Sequence, residues 1–155
     1  MTRVLFVCLG NICRSPAAEG IFLSKLSKLN LLDKFEVDSA GTSGVHTGEL
    51  PDKRMCKAAQ IRGYDLSSRS RKFIKDDFYR YDYIVVMDES NLSNILSLDL
   101  TNEFSQKVVL ITDYCSNFKI SGVPDPYYGG DEGFNHVIDI LEDALSVFLK
   151  RLSDG

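Results

Sequence analysis

Cys8 and Arg14 stand six positions apart in the stretch VCLGNICRSP, residues 7–16, and the turn between them holds Gly10 and Asn11. Residue types at that spacing suit chemistry on an oxyanion. Gly and Asn tolerate the positive φ angles that turn successive backbone N–H groups inward. Such a loop, followed by the start of a helix, forms a concave anion site. Arg14 can add a planar fork to two oxygens of a phosphate. The same positive field favours thiolate over thiol at Cys8, and the thiolate is the nucleophilic form. A nucleophile beneath a tetrahedral anion makes a phosphoryl-transfer site rather than a plain binding site. The bland alternative, Cys8 as a small buried hydrophobe, leaves the Gly-Asn turn and Arg14 unexplained.

The elements that must hold this loop lie on either side of it. Residues 3–7, RVLFV, are apolar and β-branched like a buried strand, and residues 17–23 carry apolar groups at helical spacing. Cys8 therefore ends a strand. The helix opens around residues 14–16, with Pro16 suited to its first turn and Ser15 to its cap. Strands are predicted at 4–7, 35–38, 83–87 and 108–111, and helices at 17–29, 52–63, 90–98 and 134–152. The last helix carries an apolar stripe of Val137, Ile138, Leu141, Leu145, Phe148, Leu149 and Leu152. Strands alternating with helices predict an α/β fold, a three-layer αβα sandwich around a four-stranded parallel sheet. Ligands of such sheets bind beyond the carboxyl ends of the strands, where Cys8 lies.

At 155 residues, 44% apolar and 26% charged, the chain reads as one globular domain, residues 1–155. A net charge of −4 argues against nucleic acid as a partner. No apolar run has the length to span a membrane. The first residues enter a strand without a secretory leader, so a cytoplasmic location is expected. Cys8, Cys13, Cys56 and Cys115 are then expected as free thiols. No CxxC occurs, and His46 and His136 have no metal-ligand partner at zinc spacing, so neither metal nor other cofactor is expected.

Together with CLGNICRSP, the segments DSAGTSG (38–44), YDYIVVMDESN (81–91) and PDPYYGG (124–130) make the chain resemble the low-molecular-weight protein tyrosine phosphatases over nearly its whole length. The resemblance implies Cys8 as nucleophile, Arg14 as phosphoryl ligand and Asp125 as general acid. It makes Leu9, Gly10, Asn11, Ile12, Cys13 and Ser15 the rest of the phosphate-binding loop, with Ser15 hydrogen-bonded to the sulfur. Asn11 and Ser39 match residues that hold the loop in shape. Implied substrates are phosphotyrosine-containing proteins or small aryl phosphates, with inorganic phosphate or similar oxyanions as ligands, and a monomer is expected.

Pro124 and Pro126 stiffen the loop that must aim Asp125, although such clusters also serve as plain turns. Ile12, Val45, Tyr127 and Tyr128 are candidate substrate walls, the tyrosines by stacking; packing on the adjacent helix is the other reading of Tyr128. Cys13 either packs or forms a disulfide with Cys8 under peroxide, as family members do. Two departures from the family pattern stand out. Val45 and His46 occupy a loop where relatives carry an aromatic residue, and His46 is expected to be solvated. Ser67 and Ser68 stand where relatives often carry a histidine before R-x-R, so Ser68 either replaces a hydrogen bond under the loop or leaves it missing. The run Arg69-Ser70-Arg71-Lys72 either attracts acidic phosphopeptides or is plain solvated surface.

Three other activities share parts of this pattern. Arsenate reductases on this scaffold need further cysteines near residues 80–90, and residues 80–91 have none. Phosphoarginine phosphatases typically carry threonine at the position of Ile12, and the larger apolar side chain suits an aromatic substrate. A phosphopeptide-binding module requires neither Cys8 nor Asp125.

Overall fold

Alternate residues of the first strand, β1 (Thr2–Cys8), face two different cores. Val4, Phe6 and Cys8 point to one side and Leu5 and Val7 to the other, as the two-residue period of a strand requires. All five are buried, which is why the segment reads as continuously apolar rather than alternating. The computed structural model describes residues 1–127 and 130–154. In it β1 pairs in parallel with β2 (Phe35–Gly41) on one edge and with β3 (Tyr83–Val86) on the other, and β4 (Val108–Leu110) adds beside β3. The sheet order is β2-β1-β3-β4.

Helices α1 (Arg14–Lys28), α2 (Lys53–Ile61) and α5 (Asp131–Asp154) bury their apolar faces with Val4, Phe6 and Cys8. Short α3 (Asp76–Arg80) and α4 (Glu89–Leu98) pack with Leu5 and Val7. The parallel four-stranded sheet flanked by helices is the expected fold. Phe22 is the hub of the larger core, with ring centroids 5.6 Å from Phe6, 5.8 Å from Phe35 and 5.8 Å from Phe148. No helix among the described residues is long and apolar enough to cross a membrane.

Departures from the expected elements have local causes. Helix α3 has only five residues, too few for a periodicity to show. Leu152 ends the α5 stripe half-buried, because the helix runs past the core there. The N-cap of α1 is Cys13, not Ser15, and makes no side-chain cap hydrogen bond. Ser15 lies inside the first turn with its hydroxyl turned to Cys8.

The strand order reverses between β1 and β3, since β2 lies on one side of β1 and β3 on the other. The crevice beyond the carboxyl ends of β1 and β3 is the place such a sheet offers a ligand. Cys8 ends β1, and Asp88 stands two residues beyond β3.

Candidate active site

From the end of β1 the chain turns through residues 9–13 into α1, and the turn is held from behind. Asn11 alone in it takes a positive φ, 58°. Gly10 does not, so the expectation of a left-handed Gly10 is corrected. A Cβ at Gly10 would come within 3.0 Å of the His46 ring, which makes it a close-approach glycine. Gly41, at the end of β2, is tighter still: a Cβ there would meet the Leu9 carbonyl at 2.7 Å.

Asn11 is buried and its side chain is saturated. Its Nδ2 donates to Ser15 Oγ at 2.8 Å and to Ser39 Oγ at 3.0 Å, while its Oδ1 accepts from the Arg71 N–H at 3.0 Å. Its backbone N–H donates to Cys8 Sγ at 3.3 Å. Ser15 Oγ lies 3.0 Å from the same sulfur. Having accepted from Asn11, the Ser15 hydroxyl keeps its hydrogen for the sulfur or for the Ala40 carbonyl, 3.4 Å away. Asn11 and Ser15 thus brace Cys8 from behind the loop instead of lining the cavity.

The brace extends to a residue that sequence reasoning missed. Ser39 Oγ donates to Glu19 Oε1 at 2.6 Å, and the Ser68 hydroxyl lies near enough to favour the charged form of that carboxyl. Burial pushes the Glu19 carboxyl up to about 7, against the opposing pull of these two hydroxyls. The basic run is partly built into the fold: Ser70 is buried and Arg71 half-buried, while Arg69 and Lys72 stay exposed. Ser70 Oγ donates to the Gly10 carbonyl at 2.9 Å, Arg69 Nη1 to the Gly48 carbonyl at 3.0 Å, and Arg71 forks onto Asp77 at 2.9 and 3.1 Å.

Arg14 is 3% exposed. Its Nη1 donates to Asp88 Oδ2 at 2.6 Å and to the Val123 carbonyl at 2.9 Å. Asp88 does double duty, because its Oδ1 caps α4 by accepting from the Asn91 N–H at 2.7 Å. The signal for Asp88 was available in its place just past a strand end. The other guanidinium nitrogen, Nη2, is 3.6 Å from Asp125 Oδ2.

Asp125 reaches this point on a loop anchored by the Val123 N–H, which donates to the Met87 carbonyl at 2.7 Å. Its Oδ1 accepts from the Tyr127 N–H at 3.1 Å, a local turn that stiffens the carboxyl. Cys8, Leu9, Gly10, Ile12, Cys13, Arg14, Ser43, Val45, His46, Asp125 and Tyr127 line one cavity of about 170 Å³. His46 is a half-exposed wall residue: its Nδ1 is 2.9 Å from Glu49 Oε2 and its ring 6.1 Å from that of Tyr127. Val45 is a rim residue, 74% exposed. Tyr128 lies outside the described residues.

All four cysteines are free. Burial and the neighbouring Asp52 carboxylate push the Cys13 thiol well up, so it is held protonated. Burial also raises Cys56, beside Asp52, and Cys115, to about 11, beside Asp143.

A parallel sheet with a thiol at a strand end, sharing one cavity with a buried arginine and an aspartate-bearing loop, is the architecture of an α/β phosphatase. The chain belongs to the low molecular weight phosphotyrosine protein phosphatase family, whose sequence model matches residues 3–155. A protein of Synechocystis is 49% identical over 150 residues, 97% of this chain and 96% of that one. The low molecular weight phosphotyrosine protein phosphatase of Schizosaccharomyces pombe is 41% identical over 152 residues, 97% of either chain. The crystal structure of a protein tyrosine phosphatase from Entamoeba histolytica, with Hepes in the active site, matches with a TM-score of 0.97 at 44% identity, covering 100% of this chain and 99% of that chain.

Proposed function

We propose that the protein hydrolyses phosphotyrosine in two displacements through a phosphocysteine at Cys8. The Cys8 thiolate attacks phosphorus while the phosphorus–oxygen bond to the ring breaks. The departing phenol has a pKa near 10 and leaves poorly as an anion, so Asp125 gives it a proton. Water then attacks phosphorus, Asp125 takes its proton, and the sulfur leaves toward the Ser15 hydroxyl. Negative charge on the phosphoryl oxygens is met by the N–H groups of residues 9–14 and by the Arg14 guanidinium, fixed donors of the kind that stabilise such transition states. These groups fill the place that metal ions take in other phosphoryl-transfer enzymes.

The observation that carries this reading is the hydrogen-bonded sulfur. Cys8 Sγ receives the Asn11 N–H and faces the Ser15 hydroxyl in a cavity that Arg14 and Asp125 share. A binding module has no use for that arrangement. Ile12, Val45 and Tyr127 give the cavity an apolar wall suited to an aryl ring. The same reading takes residues 1–155 as one catalytic domain, monomeric and cytoplasmic, acting on phosphoproteins or small aryl phosphates without metal. It also keeps Cys13 as the thiol that would trap an oxidised Cys8.

The test is turnover of phosphotyrosine, phosphoserine, phosphoarginine and arsenate in metal-free buffer, for wild type and Cys8→Ser. Phosphotyrosine should be preferred, Cys8→Ser should be inert, and acid quenching of wild type with labelled substrate should leave phosphorus on residue 8. Label elsewhere, a strict metal requirement, or activity confined to arsenate overturns the reading.

A further inference from the structure

The loop carrying Asp125 is held on its inner side by Arg14, through the Val123 carbonyl. Its far end is held by a side chain that the proposed mechanism does not use. Arg54 lies in the first turn of α2. Its Nε donates to Asp52 Oδ1 at 3.2 Å, and its Nη2 donates to Asp52 Oδ2 at 3.0 Å and to the Tyr127 carbonyl at 2.8 Å. Its guanidinium carbon also sits 5.5 Å from the centroid of the Tyr127 ring and 4.8 Å from that of Phe134.

Asp52 is itself tied to the phosphate loop. Its N–H donates to the Ile12 carbonyl at 2.8 Å, and its Oδ1 caps α2 by accepting the Arg54 N–H at 2.8 Å. A continuous bonded path thus runs from Ile12 through Asp52 and Arg54 to Tyr127. Both polar groups of the Tyr127 backbone are engaged, the N–H on Asp125 and the carbonyl on Arg54. With its side chain 42% exposed, Arg54 adds little to stability as an ion pair. What it contributes is position, since its planar fork can hold a carboxylate and a carbonyl at once.

Resting on the phosphatase reading above, we propose that Arg54 is a positioning residue for acid catalysis: by clamping Tyr127 to Asp52 it holds Asp125 where the leaving oxygen needs its proton. The geometry makes a distinctive demand on the kinetics. An aryl phosphate with a strongly acidic phenol departs without a proton and should not sense Arg54. One with an ordinary phenol should. In both cases kcat/KM reports the step in which the phosphorus–oxygen bond breaks.

The experiment measures kcat/KM for Arg54→Ala and Arg54→Lys on phenyl, 4-nitrophenyl and 2,4-dinitrophenyl phosphate, beside wild type and Cys8→Ser. For Arg54→Ala, phenyl phosphate should fall about tenfold, part of the full general-acid contribution, and dinitrophenyl phosphate should stay within about twofold. Arg54→Lys, which keeps a donor and loses the fork, should fall between. An equal fall across the series, or no fall, overturns the role of Arg54 while leaving the phosphatase reading intact. Turnover by Cys8→Ser overturns the phosphatase reading itself, whatever Arg54 does.

Discussion

On the phosphate-loop side of the cavity, Asn11 uses every donor and acceptor of its amide, Ser15 and Ser39 are buried, and a ladder from residues 70–73 closes the back. On the acid side, Asp125 is 36% exposed, and its loop is tied down through Val123 and Tyr127. In the proposed mechanism the two sides do different work. Charge on a phosphoryl group is stabilised most by donors already in place, which demands a rigid, dry shell. A proton donor must meet leaving groups of different shapes, and few buried contacts leave a segment at the low-stability end of a fold. Saturated bonding where charge is met, and sparse bonding where the proton is delivered, is the lesson of the contrast.

Four changes test it, taken from the largest effect to the smallest. Asp125→Ala should lower kcat/KM on phosphotyrosine by about 10²–10⁴ with an unchanged denaturation midpoint. Inhibition by inorganic phosphate should persist, and a matching loss of phosphate affinity would show that the two sides are one unit. Asn11→Ala should instead lose stability, about 1–3 kcal/mol for each buried partner left unsatisfied, as read by urea denaturation. Native-like stability in that variant would deny the phosphate loop its rigid frame.

Glu19 tests the same frame through pH. Its folded carboxyl sits at about 7, above its ordinary 4.5. The folded state therefore holds that proton more tightly, and the resulting stability is full below the ordinary value and lost as pH rises toward 7. Glu19→Gln removes this dependence, so the variant should gain on wild type between pH 5 and pH 8 in urea midpoints. An identical difference at both pH values would mean that Glu19 is not titrating there. At the small end, Val45→Ala on the exposed rim should change stability by less than about 0.5 kcal/mol and alter only KM for aryl substrates. A large kcat effect would move Val45 from the rim into the working site.

Much of this was legible along the chain. Cys8, Gly10, Asn11 and Arg14 lie within one strand-to-helix turn, so their meeting depends on local geometry that a short string encodes. Asp125 was reached through resemblance, and its flanking prolines were consistent with it. The parts played by Asp88, Glu19 and Arg54 escaped notice because each acts through a partner distant in sequence, such as Arg14 for Asp88 or Tyr127 for Arg54. Within the basic run, Arg69 and Lys72 are exposed as plain surface would be, but a charge pattern does not say that Asp38 and Asp77 wait opposite Arg71.

By itself the sequence determined the alternating layers, the strand that ends at Cys8 and the proposal of Cys8 as nucleophile, because hydrophobic period and turn chemistry act between near neighbours. Only the tertiary structure decided which carboxylate pins Arg14, which groups hold Asn11 beneath the sulfur and what carries Asp125 into the cavity. Those pairings depend on distances of 2.6–3.6 Å between residues 74 to 111 positions apart, and packing of the whole sheet sets such distances.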